Sequence, residues 1–158
     1  MIKSEIELRR RILTMEITSP VFKSGGNLPR KHTCDGENIS PELHFNKIPI
    51  ETKSLVLILD DPDAPVSTWT HWLVWNILPQ KSIGENYKEG VFGKNDFGTI
   101  KYSGPCPPYG THTYYFRIYA LDSILDMAEG STRFNLDKII PMHVLAYAEI
   151  KCRYKKEK

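Results

Sequence analysis

The chain has 158 residues, 41% of them apolar and 25% charged, and a net charge of +2. That length supports one domain whose core buries ~70% of the surface its unfolded form exposes, and the composition excludes a disordered segment or a membrane protein. So small a positive excess gives no ground for a nucleic-acid partner, since the basic runs at Arg9 to Arg11 and Lys151 to Lys158 lie at the ends and read as solvated termini.

The first twenty residues carry charges throughout and no apolar h-region, and nowhere do eighteen apolar residues run together. The reading is therefore a cytoplasmic chain with no transmembrane segment. Residues 1–13 form an N-terminal arm or short charged helix, and residues 14–158 a single domain. Thr14 to Phe22 reads as a strand ending at Ser-Pro, followed by the Gly25-Gly26-Asn27 turn and a long loop, KHTCDGENISPEL, dense in turn formers. Asn38-Ile39-Ser40 matches a glycosylation sequon, discounted for want of a route to secretion.

Three continuous apolar runs of strand length follow, Ser54 to Leu59, His71 to Leu78 and Thr113 to Leu121. Unbroken apolarity predicts strands covered on both faces. Between the second and third, the stretch from Gly84 to His112 is too punctuated by Gly and Pro for a helix and reads as two large loops with short strands inside. Asn135 is placed to cap a helix beginning LDKII, which Pro141 breaks or restarts. MHVLAYAEI then continues at helical spacing, before EIKCRY offers a last strand. Strands joined by turn-rich loops with helix only late predict a mainly antiparallel β domain. Cys34, Cys106 and Cys152 are odd in number, with no CxxC or other metal-ligand spacing, so neither a disulfide framework nor a metal site is expected.

Polar groups gather at the predicted strand ends: Asp61 and Asp63 after the first central strand, His71 at the head of the second, His112 before the third, and Tyr114 one alternation further on. Asp before Pro is a common turn former, and a lone His at a strand end is usually solvated or capping. Together they suggest a site, provided the strands are neighbours. Pro62 and Pro65 force the chain out of the sheet and stiffen the backbone of both acids, with Ala64-Pro65 a candidate cis bond. The second loop, YSGPCPPYGTH, is equally stiff. Its backbone donors from Gly104 to Thr111 are those of Gly104, Cys106, Tyr109, Gly110 and Thr111, and beside two histidines they suit a small anion such as a phosphate monoester. Two carboxylates oppose an anion unless one orients a histidine or the ligand also carries an ammonium group.

The segments DDPDAP with HWLVWNI, and GKNDFGTIKYSGPCPPYGTHTYYFRIYALD, closely resemble the two signature regions of the phosphatidylethanolamine-binding protein family, also called the Raf kinase inhibitor protein family. CDGENISPEL and the terminal HVLAYAEI resemble its bacterial and archaeal branch, and the likeness extends from about Thr14 to Tyr154. It implies a Greek-key antiparallel β-sandwich with peripheral and C-terminal helices and an anion pocket at one end of the strands. The ligand-binding residues it implies are Asp61, Asp63 and His71 from the first signature, Gly104, Cys106, Pro107, His112 and Tyr114 from the second, and Trp69 as a wall. It also implies a small phosphorylated ligand or phospholipid head group, a kinase or serine protease as protein target, and the dimers common among prokaryotic relatives. Two positions depart from the family: Thr113 stands where Arg is usual, and Lys151 where Gly is usual.

The reading that results is a binding module rather than an enzyme, with no cofactor and no metal. One alternative is a serine protease inhibitor acting through an exposed loop, which rests on analogy. Another is a hydrolase, using two Asp and two His around a metal, or Ser103 or Cys106 with His112, although no GxSxG elbow is present.

Overall fold

The structure, a computed structural model, describes residues 12–157. The arm or helix expected near the N-terminus lies almost wholly outside them. Nine strands are present: β1 (Leu13–Thr14), β2 (Glu16–Thr18), β3 (Leu43–Asn46), β4 (Ser54–Asp61), β5 (Trp69–Ile77), β6 (Ser82–Ile83), β7 (Val91–Phe92), β8 (Thr111–Leu121) and β9 (Val144–Lys155). One α-helix, α1 (Arg133–His143), and one 3-10 turn, Arg30–His32, accompany them among the described residues.

The three apolar runs are the middle of a six-stranded sheet of order β1-β9-β8-β4-β5-β7, and β2-β3-β6 form a second sheet. Only β1 pairs parallel, with β9; the other pairings between strands are antiparallel. From β5 the chain passes through β6 and β7 and returns as β8 on the other side of β4, the long return of a Greek key. Strand β4 is buried at every residue. Leu55, Leu57 and Leu59 face the three-stranded sheet in one apolar cluster with Phe45, Trp72 and Phe116, while Val56 and Ile58 join Leu73, Trp75, Leu136 and Ile140 in a second cluster beneath α1. Sheet packs on sheet on one side and helix on the other, which is why the apolar pattern of β4 does not alternate.

Several sequence expectations are corrected. The segment from Thr14 to Phe22 is split at Met15, β1 pairing with the large sheet and β2 with the small one, so this strand switches sheets. Helix α1 begins after Thr132, and Asn135 serves as the third helical residue of a capping box with Thr132. The helix passes Pro141 and takes in Met142 and His143, but the rest of MHVLAYAEI does not continue it. From Val144 it runs as strand, because Ala146, Ala148, Ile150, Cys152 and Tyr154 recur with a period of two and fill the inter-sheet core, and β9 pairs with β8 along its whole length. The basic run from Lys151 is likewise not a solvated tail, since Lys151, Arg153 and Lys155 are the exposed alternates of β9. Strand β8 is only half covered on one face, where Thr113, Tyr115, Arg117 and Tyr119 lie.

Candidate functional site

Strand β4 runs antiparallel to both neighbours, so its C-terminal end meets the start of β5 and the start of β8 at one edge of the sheet. There Asp61, His71, His112 and Tyr114 are all buried, at 4%, 3%, 7% and 0% exposure. A cavity of about 150 Å³ is lined by Asp61, Ala64, Pro65, Trp69, His71, Phe97, Cys106, Pro107, Pro108, His112 and Tyr114. Pro62 and Pro65 lie in the connection that leaves the sheet after Asp61, as their chemistry requires. Every described peptide bond is trans, that of Ala64-Pro65 included.

The position of His71 depends on an irregularity in the sheet. Leu59 pairs with Trp72 and Asp60 with Thr70, which leaves His71 as an extra residue in β5, a β-bulge. Strict alternation would place His71 opposite Trp72, on the face of Leu73's neighbours beneath α1. The bulge instead brings its ring against Tyr114 and Phe97, with centroids 5.4 and 5.2 Å away. His71 Nδ1 donates to the carbonyls of Ser103 at 2.7 Å and Gly104 at 3.1 Å. Burial is the largest influence on this ring and lowers its pKa, against the pull of those carbonyls and of Asp61.

Asp61 is the hub of the other half. Its Oδ2 accepts from His112 Nδ1 at 2.7 Å, and its Oδ1 from the Asp63 N–H at 2.8 Å. Each imidazole therefore spends its Nδ1 proton on the wall of the cavity, and neither Nε2 has a hydrogen-bond partner among the described residues. The Tyr114 hydroxyl lies near the Cys106 backbone yet has no partner in hydrogen-bonding geometry, and burial pushes its pKa up. A fully buried hydroxyl without a partner is costly unless something else supplies one.

Of the nine residues expected from sequence, seven line the cavity and two do not. Asp63 is exposed, and its Oδ2 accepts from the Thr113 N–H at 2.9 Å, tying the Pro loop to β8. Gly104 is likewise a wall element: its N–H is donated to Asn38 Oδ1 at 2.7 Å, so it is not free for a ligand. A side chain there would place Cβ 2.1 Å from the His32 carbonyl, which is why only Gly fits. Cys106 lines the cavity as half of a disulfide with Cys34, across 72 positions of sequence. The expectation of no disulfide fails because the 29–38 turn, held by His32 and Asn38, folds beside the second signature loop, a proximity that spacing does not reveal. Such bonds persist mainly in oxidising compartments or in hyperthermophile cells, so this one pulls against the cytoplasmic expectation.

Three contributors went unrecognised in the sequence. Phe97 covers the mouth, edge-on to Trp69 with centroids 5.5 Å apart. Asn95 holds Phe97 there, its Oδ1 accepting from the N–H groups of Phe97 and Thr99 while its Nδ2 donates to the carbonyls of His71 and Lys101. Asn38 adopts φ 60° to reach Gly104, a backbone region that Asn tolerates better than most residues. In the sequence, GKNDFG marks a turn but carries no sign of which residues face inward. On the opposite face of the same strand end, buried Asp60 accepts from Arg117 at 2.9 and 3.1 Å and from Arg133 at 3.0 Å, joining β4, β8 and α1.

Two groups weighed as nucleophiles are engaged elsewhere. Cys106 has no free thiol, and the Ser103 hydroxyl contacts Asn95 and Thr99 rather than His112. Among the described residues no three His, Cys, Asp or Glu side chains gather as a metal-binding set, and no helix is long and apolar enough to cross a membrane.

Comparison with known proteins agrees with this architecture. The UPF0098 protein of Methanothermobacter thermautotrophicus is 44% identical over 144 residues, which cover 86% of this chain and 95% of that protein. The crystal structure of CT736 of Chlamydia trachomatis, described as a phosphatidylethanolamine-binding protein homologue, superposes with a TM-score of 0.87 at 41% identity, covering 91% of this chain and 99% of that one. YbcL of Escherichia coli, described as a new member of the mammalian PEBP family, gives a TM-score of 0.84 at 31% identity, covering 90% and 99%. The family model for phosphatidylethanolamine-binding proteins matches residues 18–155. With its two signature loops closing one cavity at the strand ends, the chain belongs to the phosphatidylethanolamine-binding protein family.

Proposed function

We propose that this protein binds a small phosphorylated ligand, free or as a head group, and is not itself an enzyme. The observation that carries the reading is the Tyr114 hydroxyl, fully buried and, like the Nε2 atoms of the two imidazoles beside it, without a hydrogen-bond partner among the described residues. An anion with several oxygens satisfies all three groups at once when the rings are protonated. The acids act on the protein rather than on the ligand: both oxygens of Asp61 are engaged, and Asp63 is tied to Thr113. An ammonium group on the ligand is better served by the faces of Trp69 and Phe97 at the mouth. The test is an NMR titration with phosphoethanolamine. Shifts of the His71 and His112 ring signals are expected, and the absence of both would reject the site.

Regulation of a protein target is a second reading, favoured by one feature. Val66 is 97% exposed in the loop between β4 and β5, whose backbone is pinned at Asp61 and Asp63. A rigid loop offering an apolar side chain suits insertion into a protease cleft, because little conformational entropy remains to be lost. Inhibition assays against a panel of serine proteases and kinases, with Val66→Asp as control, test it.

A further inference from the structure

The mouth of the cavity is apolar, and three separate loops make it so. Trp69 at the start of β5 and Phe97 in the turn after Asn95 line the cavity while remaining exposed to solvent. Val66 follows Pro65 and Tyr109 follows Pro108, two prolines of the cavity wall, and both side chains are exposed. The rim is held in place from below. Asp61 and Asp63 pin the loop that carries Val66, and Asn95 Oδ1 accepts from the Phe97 N–H at 3.0 Å. Single exposed apolar side chains are ordinary, but four that converge on the rim of one binding cavity mark an interaction surface.

The charges on these loops decide what kind of surface fits. From Pro62 to Trp69, from Asn95 to Ile100 and from Pro105 to Gly110 there is no Lys or Arg. Their exposed charged residues are Asp63 and Asp96. An anionic bilayer or an acidic protein would meet these carboxylates with no cation on the rim to offset them. Resting on the head-group reading above, we infer that the rim is a docking surface for a zwitterionic phospholipid bilayer, seated so that a lipid head group enters the cavity without leaving the membrane. Trp69 and Tyr109 suit that boundary, because each has an apolar ring body and a polar N–H or O–H for the hydrated head groups. Val66 and Phe97, with no polar side-chain atom, supply contact with the acyl chains. The chains of a bound lipid then leave through an apolar mouth, so docking avoids exposing them to water. Lipid ammonium groups complement Asp63 and Asp96, and the stiffness of the loops leaves little conformational entropy to lose.

The chain carries its own reporter. Of its three tryptophans, Trp72 and Trp75 are fully buried and Trp69 alone is exposed, so a change in tryptophan emission reads the rim. The full chain is mixed with vesicles of phosphatidylcholine and phosphatidylethanolamine, with and without brominated acyl chains as quencher. Co-flotation with the vesicles and quenching by the brominated lipid are expected, both little changed by added salt. Replacing part of the lipid with anionic phosphatidylglycerol is expected to weaken binding. Val66→Asp combined with Tyr109→Asp should weaken vesicle binding roughly tenfold or more. The phosphoethanolamine shifts of His71 and His112 should persist in that variant, because neither Val66 nor Tyr109 lines the cavity. A protein that binds phosphoethanolamine but not these vesicles overturns the docking surface and leaves the ligand reading standing. Binding only to anionic vesicles and abolished by salt overturns it too, as does undiminished vesicle binding by the double variant. So does inhibition of a serine protease through Val66 with no vesicle binding. Vesicle binding that the double variant loses, with phosphoethanolamine silent, keeps the docking surface and rejects the ligand reading of the cavity.

Discussion

Asp61 and His112 meet at 2.7 Å, Oδ2 to Nδ1, with both side chains buried, and the other oxygen of Asp61 accepts from the backbone of Asp63. One carboxylate thus fixes a histidine tautomer and closes the Pro loop. Asp61→Asn keeps the shape but turns one of the two accepting atoms into a donor facing a donor. The expected cost is about 1–3 kcal/mol of stability, read by urea denaturation. The ¹⁵N shifts of His112 should at the same time show that Nδ1 no longer holds the proton exclusively.

Tyr114→Phe should separate stability from binding. The hydroxyl has no hydrogen-bond partner among the described residues, so its removal is expected to leave the ligand-free protein as stable as before or more stable, by up to about 1–3 kcal/mol. Phosphate affinity should fall roughly tenfold, the worth of one lost hydrogen bond. A large loss of stability with unchanged affinity would show that the hydroxyl serves the fold instead.

Burial lowers the pKa of His71, so the unfolded chain takes up its proton first, at about pH 6.5. Below that point the unfolded state holds more protons than the folded one. Stability is therefore expected to decline as pH falls through about 6.5 and to level off only beneath the folded-state value. His71→Gln should show a shallower decline over the same window in urea melts. Phosphate should offset the decline in the natural protein, because a bound anion favours the charged ring.

Thiol counting checks the cysteines. The chain has three. Cys152 is buried and its pKa is pushed up to about 12 by that burial, so it is neither accessible nor ionised near neutrality. With Cys34 and Cys106 joined, a colourless-to-yellow thiol reagent should find none in the native protein, one after denaturation and three after reduction as well. Paired Cys34→Ser and Cys106→Ser changes are expected to cost about 2–4 kcal/mol. They should also weaken phosphate binding, since the bond holds one wall of the cavity.

Asp60 stands apart from the cavity but not from its construction. It is 1% exposed and accepts from two arginines, so Asp60→Asn leaves Arg117 and Arg133 imperfectly paired. A loss of about 3–5 kcal/mol is expected in denaturation experiments. Phosphate affinity of the fraction that remains folded should change little.

The sequence by itself determined the three central strands and one end of the site. Continuous apolar runs are legible because burial on both faces removes the need to alternate, and Pro62 and Pro65 announce the exit after Asp61 because proline cannot extend a central ladder. Alternation also placed His112 and Tyr114 on one face. Helical spacing misled for MHVLAYAEI, where pairing with β8 over eleven residues outweighed local periodicity. Tertiary structure alone decided the rest. Whether β4 lies between β5 and β8, whether a bulge turns His71 towards Tyr114, and whether Cys34 comes beside Cys106 all depend on contacts between segments distant in sequence. No local pattern encodes them, because each is fixed by hydrogen bonds and packing that exist only once the strands have assembled.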